Sequence, residues 1–351
     1  MPIALIIPSF TAGGAERVMA TLANHFQNSN GVQVHLIILT GGDLYYALDK
    51  DITVHQPTFD YKRFGRFTFT LKILFFLRQT LRLIKPQAAL SFGGKYNAFV
   101  LLASIGLGIN VFISERSRPG ISYGRFLDAI NPLVYKLASG IIAQTEKAQQ
   151  YLFQKTKHPA ITVIGNPIKT FDLPSLPKKN VILNVGRFIP TKNQLLLVQY
   201  FNEVAFGDWE LWFLGDGPML NLVKEQAAQS PKASVIRFFE NQKDIEKFYQ
   251  EAAVFAFTSV SEGFPNALGE AMGAGCACIS FDCTAGPSDL IDHGENGFLI
   301  PLADDNLYRQ KLLLLMQHQE VRQQFGVSAQ AKIKQFASPA IATQYFNFMT
   351  R

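Results

Sequence analysis

Short apolar runs recur along the chain, separated by stretches of helical period. Ile3–Ile7, Val32–Leu39, Ala88–Phe92, Val111–Ser114 and Gly140–Ala143 form a first series. Val181–Val185, Leu211–Leu214, Ser234–Phe239, Val254–Thr258 and Cys276–Phe281 form a second. Apart from the start of Val32–Leu39 they lack polar alternation, so they predict strands covered on both faces, as in parallel sheets wound with helices. Ala15–Gln27 and about 96–105 read as two of those helices. Asn166, Pro167, Pro174, Pro177 and Lys178-Lys179 interrupt the pattern and predict a linker. The expectation is two doubly wound α/β domains, about 1–168 and 169–336. Ligands of such sheets bind beyond the carboxyl ends of the strands, and the predicted site is a cleft that the two domains face.

The chain has 351 residues, enough for roughly two domains at about 150 each. Hydrophobic residues make up 48%, which excludes intrinsic disorder. Tyr96–Ser114 is uncharged and long enough to span a bilayer, but Gly106, Gly108 and Asn110 break it. It reads as a buried helix, a turn and a strand. The first ten residues lack a basic start and are interrupted by Pro8, so a signal peptide is not expected. The three cysteines, Cys276, Cys278 and Cys283, point to a reduced, cytoplasmic chain. With His293 they have the count of a zinc set but not its spacing, and buried strand cysteines explain them better. Asp49-Lys50-Asp51 has a metal-binding spacing in a charged loop, and no metal is expected there.

The most informative stretch is Ser261–Met272, which follows a predicted strand. Gly263 permits a tight turn and Pro265 suits a helix start. The first N–H groups of that helix, with its dipole, make an anion site suited to a diphosphate. Glu270 lies one turn after Asn266, placed to accept from sugar hydroxyls, while Glu262 precedes the helix. Arg187 and Lys192 sit in a loop after another strand, where two cations can neutralise a leaving diphosphate. Leu214-Gly215-Asp216-Gly217-Pro218 is a fragment of a dinucleotide fingerprint without its third glycine or ribose acid. Thr284–Asp289, Gly294–Gly297 and Thr11–Arg17 are further small-residue loops, and the glycines of the last let a ligand approach a helix start.

In this order these motifs resemble the retaining glycosyltransferases of family 4. Glu262 and Glu270 form the family's E-x7-E pair around Gly263-Phe264-Pro265. Gly13–Arg17, Val185-Gly186-Arg187, Lys192, Gly215-Asp216-Gly217 and Gly294–Phe298 follow the family order. The resemblance implies the GT-B fold, with an N-terminal acceptor domain, a C-terminal donor domain, and a last helix (about 337–351) packing back on the first. It implies that Arg187 and Lys192 bind the diphosphate of a UDP-sugar. It implies backbone contacts from Gly14, Gly263, Phe264, Pro265 and Asn266, the ribose on Glu270, and the donor sugar's reacting end on Glu262. No cofactor and no metal are implied. Ser114-Glu115-Arg116-Ser117 departs from the Ser-Glu-His-Ser form of bacterial lipid-linked glycan enzymes. Arginine cannot act as a base, so Glu115 becomes the acid/base or acceptor contact and Arg116 a donor or acceptor contact.

Charge adds one feature. The chain carries 33 basic and 27 acidic residues, a net charge of +6. Tyr61–Lys85 holds seven basic residues and no acidic one, more than the whole excess. A helix there would bury Ile73, Phe76, Leu77, Thr80 and Ile84 and group Arg78, Arg82 and Lys85 on another face. Phe64, Phe67 and Phe69 interleave with Lys62, Arg63 and Arg66. Such a segment suits an anionic membrane surface or an acceptor pyrophosphate, or else is a core helix with a wet basic face. No nucleic-acid motif accompanies it. The function expected is transfer of a hexose or N-acetylhexosamine from a UDP-sugar to a polyprenyl-diphosphate-linked glycan, by a peripheral enzyme at the cytoplasmic face of the inner membrane. A soluble enzyme of the same fold, such as an epimerase or storage-sugar synthase, and a non-catalytic nucleotide- or glycan-binding protein are the alternatives.

Overall fold

A computed structural model describes every residue except 30, 60–64, 170–177, 205–206 and 243, with only the backbone of Arg66. Lys62, Arg63 and Phe64 of the basic segment, and Pro174 and Pro177 of the linker, therefore lie outside the described residues. The chain divides into two compact units. Met1–Pro167 and Ser338–Arg351 form unit 1, and Ile168–Ala337 forms unit 2.

Unit 1 opens with β1 (Pro2–Ile7), α1 (Gly14–Gln27), β2 (Gln33–Ile38) and β3 (Thr53–His55). It continues with α2 (Arg66–Ile84), β4 (Ala88–Phe92), α3 (Gly94–Ser104) and β5 (Asn110–Glu115). Then come α4 (Arg125–Val134), β6 (Gly140–Ala143), α5 (Glu146–Thr156) and β7 (Ile161–Val163). Its sheet is parallel throughout, in the order β3-β2-β1-β4-β5-β6-β7. The order reverses between β1 and β4. Residues 96–114 become most of α3, a turn and β5, and no helix among the described residues is long and apolar enough to cross a membrane.

Unit 2 repeats the scheme. Its strands are β8 (Lys179–Val185), β9 (Glu210–Leu214), β10 (Ile236–Phe239), β11 (Ala252–Phe257), β12 (Ala277–Asp282) and β13 (Gly297–Pro301). The helices between them are α6 (Gln194–Val204), α7 (Leu220–Ala228), α8 (Glu246–Glu251), α9 (Asn266–Gly273) and α10 (Pro287–Leu290). The helices α11 (Asp305–Gln317) and α12 (Gln319–Ile333) follow. The sheet runs β10-β9-β8-β11-β12-β13, parallel throughout, with its switch point between β8 and β11. Side chains of β8 alternate between two cores: Val181 and Leu183 join Phe255, Leu268 and Met272, whereas Ile182 joins Phe213, Val254 and Ile279. That is the two-sided burial expected of a covered parallel sheet. The last helix, α13 (Ser338–Met349), belongs to unit 1, where Phe346 packs on Phe26 and Phe348 on Phe112.

The helix α2 buries Ile73, Leu77 and Thr80 as its periodicity predicts, but Phe76 and Ile84 of the same predicted face are only half-buried. Its other face is less polar than expected, since Phe67, Leu71 and Phe75 lie exposed at helical spacing.

Candidate functional site

In unit 2 the loops after β8 and β11 meet at the switch point. Val260 N donates to Thr191 O (2.9 Å), and Thr258 Oγ1 donates to the carbonyls of Lys192 (3.0 Å) and Asn193 (3.1 Å). This stitching holds Lys192 Nζ 2.7 Å from Glu262 Oε1 and 4.9 Å from the centre of the Phe257 ring. Both members of the ion pair are largely shielded, and Arg187, in the loop after β8, is exposed. The loop after β9 closes on the same place. A Cβ on Gly215 would stand 2.1 Å from Gly186 O, and one on Gly217 2.5 Å from Phe188 O. The Gly215-Asp216-Gly217 fragment is therefore explained by close loop packing.

The helix α9 begins directly after Phe264-Pro265, and Pro265 is its N-cap rather than its first turn. Phe264 is buried against Phe336, which anchors the turn from below. Gly286 lies against the other side: its φ is +99°, and a Cβ there would meet Pro265 Cδ at 2.3 Å. The first N–H groups of α9 lack acceptors within the helix; that of Asn266 bonds Phe264 O (3.0 Å), closing the turn that enters the helix beside Lys192. Glu270 is one turn further in and only 5% exposed; its Oε2 accepts from the Tyr249 hydroxyl at 3.0 Å. Tyr249, itself fully buried, was not flagged by the sequence because nothing in its spacing links it to Glu270.

The Cys283 thiol, near this loop, is pushed up to about 11 by burial and by Glu262. All three cysteines are free and buried. Among the described residues no three His, Cys, Asp or Glu side chains are grouped so as to hold a metal ion.

The remaining sequence candidates belong to unit 1. Gly14 starts α1, behind Gly13, whose N–H and carbonyl both bond the Tyr46 hydroxyl. Glu115 ends β5, and both its oxygens are engaged: Tyr123 donates at 2.7 Å and Tyr135 at 3.1 Å. Burial pushes its carboxyl above the usual carboxylate range, against these hydrogen bonds. Arg116 points into the unit. Its guanidinium bonds Tyr345 Oη (3.0 Å) and Asn166 Oδ1 (2.6 Å) and lies 4.4 Å from the centre of the Phe92 ring. It ties α13 to the sheet, so its partners are the protein's own groups. Arg78 also has an internal partner: its Nη1 donates to the carbonyls of Ala103 and Ile105, both at 2.8 Å, closing the end of α3. Arg82 and Lys85 are exposed.

Two covered parallel sheets, each with its loops gathered at a switch point, define a Rossmann-like pair. The family model described as glycosyl transferases group 1 matches residues 167–332, and that described as Glycosyltransferase Family 4 matches residues 12–170. The chain belongs to the glycosyltransferases of GT-B type. It is 26% identical over 334 residues to the amylovoran biosynthesis glycosyltransferase AmsD of Erwinia amylovora, covering 91% of this chain and 90% of that one. It is 24% identical over 364 residues to a Campylobacter jejuni α-1,4-N-acetyl-D-galactosaminyltransferase named for an undecaprenol-diphosphate glycan, covering 99% and 98%. The Anabaena protein Alr3699/HepE, solved with UDP, superimposes with a TM-score of 0.80 at 18% identity over 99% of each chain, which shows the shared fold.

Proposed function

We propose that this glycosyltransferase moves a hexose or N-acetylhexosamine from a UDP-sugar to a polyprenyl-diphosphate-linked glycan, with retention and without a metal. The observation that carries the reading is the Lys192–Glu262 pair at the start of α9. In it, a carboxylate for the donor sugar and a cation for the diphosphate share one switch point. Lys192 has three donors and Glu262 takes one, leaving others for phosphate oxygens. Arg187 and the first N–H groups of α9 complete the neutralisation of the departing UDP. Glu270, held by Tyr249, accepts from the ribose hydroxyls. The acceptor hydroxyl attacks from the face on which the diphosphate leaves, and its proton passes to the leaving phosphate oxygen. The lipid-linked acceptor is favoured by the Campylobacter relative's printed substrate and by unit 1's surface. Of fifteen exposed large apolar residues among the described ones, twelve belong to unit 1. Phe67, Leu71 and Phe75 on α2, with Arg82 and Lys85 near its end, suit an anionic membrane surface, which the enzyme would meet on its cytoplasmic side.

The test is UDP or GDP release from a panel of nucleotide sugars, with and without a lipid-diphosphate glycan. Release of UDP that rises with the glycan supports the reading. Release independent of any lipid-linked glycan points to a soluble enzyme, and no release from any donor points to a binding protein.

A further inference from the structure

Beyond the carboxyl end of β5 lies a pocket in unit 1 that takes Glu115 and Ser117 from the Ser114–Ser117 motif and draws the rest of its lining from residues no motif above includes. It has a volume of ≈ 220 Å³ and is covered by the 117–123 loop, with α4 and α5 forming its walls. This is below the ~300–1,000 Å³ of pockets for drug-sized ligands, and suits a single ring.

Three features give it chemistry. Glu115 forms one wall, fixed by Tyr123 and Tyr135. These hydroxyls are themselves packed against Gly94, where a Cβ would stand 2.2 Å from Tyr123 Oη and 2.5 Å from Glu115 Oε2. Asn131 is the second feature. It is 6% exposed, its Nδ2 donates to Gly94 O (3.2 Å), and its Oδ1 is buried with no hydrogen-bond partner. A buried acceptor left unpaired is costly, so it marks a place for a donor from outside. The third is α5, which supplies Ala148 and Leu152 as apolar lining beside the Tyr151 ring. Asp128 at the loop is already occupied, accepting from Ser122 Oγ (2.5 Å) and Tyr123 N (2.8 Å). Its carboxylate thus pins the cover rather than facing a ligand.

A ligand for this space donates hydrogen bonds to Asn131 and Glu115 and lays an apolar face on an aromatic ring. A pyranose does both. We propose that the pocket under the 117–123 loop binds one pyranose ring of the acceptor glycan, an inference that rests on the glycan-acceptor reading above. It assigns acceptor-sugar recognition to Asn131, Tyr151 and Ala148.

The experiment uses the full chain and free monosaccharides (galactose, glucose, N-acetylgalactosamine), with binding followed by saturation-transfer NMR. Ala148→Leu fills the pocket, and Tyr151→Ala removes its ring from a half-buried position. The expected result is transfer to at least one sugar in the wild type, lost in both variants, with UDP binding unchanged. In turnover with a lipid-linked glycan, each variant should raise the acceptor KM about tenfold, which corresponds to ~1.4 kcal/mol, and leave the donor KM unchanged. Absence of sugar signal in the wild type, or the same signal in wild type and both variants, overturns the pocket. Because NMR needs no turnover, a chain that binds sugar here yet releases no UDP would remove the catalytic reading and keep the pocket.

Discussion

Lys192 meets Glu262 at 2.7 Å over the face of Phe257, so its removal deletes a positioned cation and leaves a shielded carboxylate alone. Lys192→Ala should lower kcat by about 10²–10³, the usual effect of losing one preorganised stabiliser of transition-state charge. Measured turnover within threefold of wild type would remove Lys192 from the leaving-group role. Glu115 makes a different prediction. Its carboxyl is raised in the fold by burial, so between its unfolded and folded pKa values the native state holds the extra proton. Stability from this group is fully present below the unfolded value and falls as pH rises through the folded one. Glu115→Gln cannot ionise, so its melting temperature relative to wild type should climb from pH 4 upward and then level off. A difference that stays flat with pH would contradict the shift. The sequence made Glu262, Glu270, Arg187 and Lys192 legible because fixed spacing carries them to one switch point. Tyr249, Tyr123 and Asn131 were not legible: Tyr249 and Asn131 meet partners on other elements, and Tyr123 reaches Glu115 through an irregular loop, at separations no local period records. Arg116 was visible but misassigned, because burial behind Tyr345 is decided by a helix 229 residues away.

At the level of elements, α2 shows how far periodicity reaches. It anticipated the buried face through Ile73 and Leu77 but placed Arg78 with the wet basic residues. The structure instead uses Arg78 on the carbonyls that end α3. Arg78→Ala should therefore destabilise unit 1 by roughly 1.5–3 kcal/mol, the range for hydrogen bonds made by a charged group, and thermal melting checks it. A loss of lipid binding in that variant would report unfolding as much as recognition. The cleaner probe is Phe67→Ser with Phe75→Ser, both at exposed positions. It should weaken sedimentation with anionic phospholipid vesicles at least about tenfold, given ~1.5–3 kcal/mol for burying each such ring completely. Melting should stay near wild type; equal vesicle binding would leave the stripe without a membrane role. The strands outside the two predicted series are β3, β7 and β13, and all but β13 have only three residues. They lie at sheet edges, where Thr53-Val54-His55 or Ile161-Thr162-Val163 carries no apolar run. Their extension comes from pairing with β2 and β6 rather than from their own pattern.

For the whole molecule, both units run the same strand order outward from a central switch point; apolar runs alternating with helices predicted the doubly wound class but not the order. Chain continuity does not follow the units, however. The segment Ser338–Arg351 arrives after all of unit 2 has been made, yet completes unit 1. There α13 buries Ile341, Ala342, Tyr345 and Met349, each 2% exposed or less, and Tyr345 accepts from the Arg116 guanidinium. Three large buried side chains at about 1.5–3 kcal/mol each give roughly 5–9 kcal/mol, comparable with the whole stability of an ordinary domain. Arg116 would in addition lose a partner for a buried charge, and Phe26 and Phe112 would lose their ring contacts. A chain ending at Ala337 should therefore retain hydrogen-exchange protection in β8–β13 and lose it in β1–β7. Uniform protection across both sheets would show that unit 1 folds without α13. Equal loss in both would show that the two units unfold as one.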